Sequence, residues 1–346
     1  MIFFHAQVVI FFGGGASMQQ SGSSGKIVVV TLIVVAVTAA GFAVIISNPL
    51  ADNGDNQDPD DNDPFDIPLN DSAISINSDG MLVSWARARN WTGNGTADDP
   101  IIIEGLGIRS SDYCIYMESV SLHFIIQNCT LVSEPNMYNG LGIYLRNCSH
   151  ALIRNCAVSA SLSGIEIFET NNTVIEDCLV QSQAFAVNIS GSINSVIMNN
   201  EIKGNFSGIS IICSNQTQIL NNTVTKGRFG LVSQFSFYCN VSDNLISFNE
   251  EGALVEGRCG NWYILDNTLL NNSRRGISLT QNTSFCVLYG NSIGWNAEGN
   301  AVDNGLENSW DDGIALGNAW SDHSGVGPYE IPGTAGSIDH FPSVLG

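Results

Sequence analysis

The sequence predicts an all-β solenoid of stacked parallel sheets, preceded by one transmembrane α-helix, and three observations predict it. An aliphatic-x-Asn/Asp-Asn/Cys-x-aliphatic phrase returns about every 22 residues, a Gly-Ile-x-Ile phrase keeps the same spacing, and Ile27 to Ser47 is a 21-residue stretch without a charge. A fixed period of this size marks a repeat architecture, because each unit buries its apolar side only by stacking on its neighbours.

In chain order, residues 1–25 are a short N-terminal segment, aromatic and apolar from Phe3 to Phe12; Met18 would make a conventional start. Residues 26–47 form the membrane helix: 21 uncharged residues rising about 1.5 Å each span a ~30 Å hydrocarbon core. That run is longer than the apolar region of a cleaved signal peptide. Lys26 is the only Lys or Arg before it, whereas Asp52 to Asp66 contains seven Asp and no basic residue. Basic residues stay inside, so the expected product is a single-pass cell-membrane protein with a cytoplasmic N-terminus and its body outside. Residues 48–68, with Pro49, Pro59, Pro64 and Pro68 among the acids, read as an extended solvated linker.

Residues 69–296 carry the repeat. Its first phrase includes Ile126-Gln-Asn-Cys-Thr-Leu131, Ile175-Glu-Asp-Cys-Leu-Val180 and Ile219-Leu-Asn-Asn-Thr-Val224, and its second Gly142-Ile-Tyr-Leu, Gly164-Ile-Glu-Ile and Gly208-Ile-Ser-Ile. Both are short, β-branched and alternating, hence strands. Cys129, Cys156, Cys178, Asn200, Asn222, Asn244, Asn267 and Asn291 fall in one column, where stacked amides would hydrogen-bond from coil to coil. Trp91 and the apolar Ile101-Ile-Ile103 suit the opening coil.

These phrases resemble the parallel β-helix repeats of the pectin-lyase-like superfamily, and the resemblance implies a right-handed β-helix. Residues 297–346 contain Asn308-Ser-Trp310-Asp-Asp-Gly313, Gly317-Asn-Ala-Trp320-Ser-Asp322 and Pro328-Tyr329-Glu-Ile331. Here the chain is similar to archaeal surface β-helix proteins and to the NosD family, associated with copper-site assembly. Ala319 stands where those proteins usually have Tyr, and the Asp-Gly-rich insertion often found before Pro-Tyr is absent, which weakens the calcium site the resemblance implies. Asp303, Asp311, Asp312, Asp322 and Asp339 are the oxygen ligands left for one. Otherwise the segment reads as a cap of Trp side chains over the last coil.

Residues 67–346 hold 26 acidic and 11 basic residues, a net −15 that excludes nucleic acid as a partner. Thirteen Asn-x-Ser/Thr sequons, Asn188 and Asn240 among them, offer glycan sites outside a membrane. The nine cysteines include three in the ladder column, expected as buried thiols, and leave a Cys239–Cys259 bridge open. No C-x-x-C or His cluster supports zinc or copper, and no cofactor is expected.

Catalysis on a glycosidic bond needs two placed carboxylates, or a base beside an acidic carbon. Outward columns offer Asp243 above Asp266 and a group of Arg154, Glu166, Glu176 and Asp177, with Arg154 over Glu176 expected as an exposed ion pair. Neither group is persuasive, since Asp replaces Asn readily at a turn. The sequence therefore points to a surface binding or structural module toward glycans or envelope components. A polysaccharide lyase or hydrolase is the alternative, and NosD-like copper-site assembly a further one.

Overall fold

The computed structural model describes Phe65, residues 69–134 and residues 140–346. The expected membrane helix 27–47, the segment before it and nearly all of the linker lie outside the described residues. Among the described residues no helix is long and apolar enough to cross a membrane.

Three parallel sheets, here I, II and III, run along the body with 10, 9 and 11 strands. One coil passes from Ser163–Phe168 in sheet I to Val174–Glu176 in sheet II and Leu179–Ser182 in sheet III; the next begins at Phe185–Ser190. Register is unshifted, with Ile165 opposite Val187 and Val187 opposite Ile209, and Ile175 opposite Ile197 and Ile197 opposite Ile219. The result is a right-handed-type parallel β-solenoid of about 11 coils, as the 22-residue spacing implies. At about 4.8 Å per coil it is ~50 Å long.

The core is one continuous cluster of aliphatics stacked in columns from all three sheets. Ile165, Ile167, Ile175, Val180, Val187 and Ile189 are fully buried or nearly so, and each such side chain contributes roughly 1.5–3 kcal/mol relative to exposure. Glycine opens the Gly-Ile-x-Ile phrase because the chain turns the corner from sheet III there. A Cβ at Gly142 would run into Val158 and the Gly164 carbonyl.

The predicted ladder forms and extends one coil further than expected. Asn200, Asn222, Asn244, Asn267 and Asn291 each donate a backbone N–H to the side-chain oxygen of the next member, ending on Asn318. Their Nδ2 groups also donate to carbonyls one coil back, such as Ile219 O from Asn244 at 2.8 Å. Two further ladders escaped the sequence reading. Thr170, Ser192, Ser214 and Ser236 accept backbone N–H groups at the turn between sheets I and II, and Asn249, Asn272 and Asn296 do so between sheets III and I. All nine cysteines are free thiols, so the Cys239–Cys259 bridge is not formed, and Cys129, Cys156 and Cys178 are buried in the ladder as expected.

A helix, Asp79–Arg89, closes the N-terminal end and was not foreseen. Ser78 caps it by accepting from Met81 N–H, and Asn90 terminates it in the left-handed conformation. The Asp79 carboxylate fastens it to the first coils by accepting from Ser121 N, Ser121 Oγ and Leu122 N. Trp85 and Trp91 stack at 6.3 Å beneath the Arg89 guanidinium.

Candidate functional site

The outer face of sheet I carries the chemistry. Tyr113–Glu118, Leu141–Arg146, Ser163–Phe168 and Phe185–Ser190 lie side by side, and their registers align Tyr116, Tyr144, Glu166 and Asn188 in one outward row. Two residues along, Glu118, Arg146, Phe168 and Ser190 form a parallel row. Alternation explains both: each row lies an even number of residues from the other, and the odd positions between them point into the core.

Tyr113, Tyr116 and Tyr144 form a run of tilted rings with centroids 5.3 and 5.4 Å apart. Tyr116 OH donates to Glu118 Oε2 at 2.8 Å, Arg146 lies 3.3 Å from Glu118 Oε1, and the same guanidinium sits over the Phe168 ring. Burial, then the hydrogen bond to Glu118, pushes the Tyr116 phenol up to about 12. Burial, then the Glu166 charge, holds the Tyr144 phenol above its ordinary 10. Glu166 keeps some solvent access, yet desolvation by its neighbours pushes its carboxyl from 4.5 up to about 7. The Asn188 side-chain oxygen beside it is buried with no hydrogen-bond partner.

At neutral pH this row therefore offers a carboxyl poised between donor and acceptor, an unpartnered amide oxygen and two phenol rings. The arrangement suits hydroxyl groups. Tyr144 is not a ready base, because its ionisation is opposed. Glu118, the other carboxylate on these four strands, is occupied by Tyr116 and Arg146.

The structure separates the remaining predicted residues. Arg154 and Glu176 are register partners on sheet II, far around the coil from Glu166. Their expected ion pair is corrected: Arg154 donates through Nε and Nη2 to Gln127 Oε1 at 2.9 and 2.7 Å, and Gln127 donates onward to Glu104. The amide oxygen of the preceding coil takes two of the five guanidinium hydrogens in one fork, which turns Arg154 away from the carboxylate above.

Asp177, Asp243 and Asp266 belong to a turn column with Asn128, Asn155, Asn199 and Asn221, all left-handed with φ between 49° and 59°. That conformation costs most residues about 1 kcal/mol and Asn, Asp or Gly least. Backbone geometry accounts for these carboxylates, and all three are solvent-exposed.

The cap aspartates are engaged by protein donors. Asp303, fully buried, accepts from Gly305 N, Asn308 Nδ2, Trp310 Nε1 and Ser337 Oγ. Asp339 does the same for Asn318 N, Trp320 Nε1 and Phe341 N. Asp311 accepts from Gly313 N and His340, Asp312 from three successive backbone N–H groups, and Asp322 from Asn300 and Tyr329. Each of these carboxylates is thus engaged by the protein's own donors. Trp310 and Trp320 seal the last coil, with Tyr329 stacked on Trp320 at 4.2 Å.

Tyr116, Glu118, Arg146 and Phe168 were missed in the sequence. Tyr144 and Glu166 were visible at the same position of the Gly-Ile-x-Ile phrase, but the coil holding Tyr116 and Glu118 precedes the first repeat phrase.

An all-parallel solenoid with this capped end and ladder defines a protein of the pectin-lyase-like β-helix class. The chain belongs to the NosD family, described as periplasmic copper-binding protein, which it matches over residues 122–325. The mannuronan C-5 epimerase AlgE6 A-module of Azotobacter vinelandii is similar in structure, with 16% identity, TM-score 0.53, and coverage of 75% of this chain and 82% of that one. The Dettilon tailspike protein has 13% identity and TM-score 0.55, covering 74% of this chain but only 55% of the tailspike. At these identities the likeness is one of fold. No curated protein matches the chain by sequence.

The family description raises copper, so the donors matter. Among the described residues no three His, Cys, Asp or Glu side chains gather as a metal-holding group. Cys114, Cys239 and Cys286 are buried, and burial pushes their thiols up to about 12. Cys213 is exposed but solitary. The described residues do not fit a copper site.

Proposed function

We propose that this protein is a carbohydrate-binding surface module, held outside a membrane by residues 27–47, whose sheet I face recognises sugar hydroxyls. The observation that carries the reading is the Tyr116, Tyr144, Glu166, Asn188 row, where aromatic walls adjoin a near-neutral carboxyl and an unpartnered buried amide oxygen. Phenol rings cover the apolar face of a pyranose, and the two polar groups take its hydroxyls. The structurally similar AlgE6 A-module is a mannuronan epimerase, which accords with carbohydrate as the ligand class without naming the sugar. Glycan-array binding by the full chain tests it: Tyr144→Ala and Asn188→Asp should each weaken retention at least fivefold. An array with no retained glycan, or retention indifferent to both changes, overturns the reading.

One observation favours a second reading, acid–base catalysis on a polysaccharide. Glu166 near pKa 7 suits general acid work. Incubation with uronate-containing and neutral polysaccharides, followed by assay for unsaturated products and new reducing ends, separates the two: Glu166→Gln abolishes turnover only in the catalytic case. The copper role of the family description finds no donor cluster here and is the weaker reading.

A further inference from the structure

The turn between sheets I and II carries exposed aromatics that packing does not explain. Tyr238, Asn261 and Phe285 occupy one left-handed column, with φ of 59°, 57° and 57°, continuing from Asn172, Asn194 and Gln216. Asn is the natural occupant of such a position, whereas a bulky ring is strained there. Tyr238 is 63% and Phe285 53% exposed, so burial does not compensate the strain. Phe235, also left-handed, Phe237 and Tyr263 are exposed beside them.

The coil between contributes Gly257, Arg258, Gly260 and Asn261 to this turn, with Arg258 exposed. The Phe235 ring packs over Gly257, and the Ser284 carbonyl and the Phe237 ring pack over Gly260. Two aromatic coils thus flank a middle coil that presents an amide and a guanidinium at its turn. Tyr238 and Phe285 are two coils apart, about 9.6 Å along the axis. That matches the disaccharide repeat of an extended β-1,4-linked pyranose chain, which presents the same ring face at every second sugar.

Charge narrows the choice. Residues 67–346 carry a net −15, Glu256 borders the turn, and the exposed Arg258 is the single cation at it, so the acidic body repels a polyanion. We infer that the Tyr238, Asn261, Phe285 turn is a second binding surface, for a neutral, extended β-1,4-linked polysaccharide lying along the solenoid axis. Alternate sugars stack on the two rings, and Asn261 meets a hydroxyl of the sugar between them. The inference shares the carbohydrate reading above but uses different residues.

Calorimetric titration of the full chain with cellohexaose tests it, with maltohexaose and oligomannuronate as controls. Tyr238→Asn and Phe285→Asn restore the usual residue of the column, so the melting temperature should hold or rise while cellohexaose affinity falls at least tenfold. Maltohexaose and oligomannuronate should bind at least tenfold more weakly than cellohexaose. Ile314→Asn, an exposed change in the C-terminal segment outside both proposed surfaces, should leave cellohexaose binding unchanged. Undiminished binding by the Asn variants, or failure of cellohexaose to bind, overturns the inference. If glycans are retained only through Tyr144 and Glu166, the proposed function survives and this surface does not. Self-association or capture of a protein lost on Tyr238→Asn, without cellohexaose binding, likewise overturns it.

Discussion

Tyr144 and Glu166 are register partners on neighbouring coils of one outer face, and burial together with the Glu166 charge keeps the Tyr144 phenol neutral. The pair is costly to maintain. Glu166 ionises near 7 in the fold but near its ordinary 4.5 in the unfolded chain, so the unfolded state loses its proton first as pH rises.

Stability should therefore be greatest, as far as this group contributes, below pH 4.5, and fall as pH rises to about 7. Glu166→Gln removes the penalty. Above pH 7 the variant should be more stable by about 1–3 kcal/mol, the upper end being what a shift of this size allows. At pH 4 it should match the parent. Denaturant melts at the two pH values decide it.

Asn244→Ala interrupts the ladder at its middle. The buried Asn222 N–H loses its acceptor, Asn222 Nδ2 keeps only the Ile197 and Leu220 carbonyls, and the buried Ile219 and part-buried Ser242 carbonyls lose a donor. A loss of about 2–4 kcal/mol is expected from stranded buried polar groups. Equilibrium unfolding that shows less than about 1 kcal/mol would mean the ladder is dispensable.

Asp243→Asn and Asp266→Asn should shift stability by less than about 0.5 kcal/mol, since Asn serves the left-handed turn equally well. Asp243→Val, a β-branched residue at φ 59°, should cost more than about 1 kcal/mol. Any glycan turnover that disappears in both Asn variants would restore these carboxylates as an acid–base pair.

Chelation should leave the melting temperature unchanged, because Asp303 and Asp339 are saturated by Trp310, Ser337, Asn318 and Trp320. Calcium binding at 100 times its Kd would instead add about 2.7 kcal/mol. Asp339→Ala should cost about 3 kcal/mol by stranding the buried indole N–H of Trp320. Calorimetry with EDTA and with calcium checks both.

The repeat made the coils legible because each residue in a solenoid meets its equivalents one period away. Ile165, Ile175 and Asn222 could thus be assigned to core and ladder from spacing alone, and the left-handed turns show why Asp177, Asp243 and Asp266 share a column with Asn. The helix Asp79–Arg89 was hidden because it stands outside the period and shows only a weak apolar face, with Leu82 and Ala86 buried. The Thr170 to Ser236 ladder was hidden because Ser and Thr are common everywhere in the chain. Sequence by itself determined the architecture and the direction in which each repeated side chain points. Tertiary structure alone decided which partners the outward groups take: that Arg154 reaches Gln127 rather than Glu176, that Glu166 stands among phenols on another face, and that the cap aspartates close on indoles. Those outcomes depend on competition between neighbours in space, and a one-dimensional period carries no information about the strength of a lateral contact.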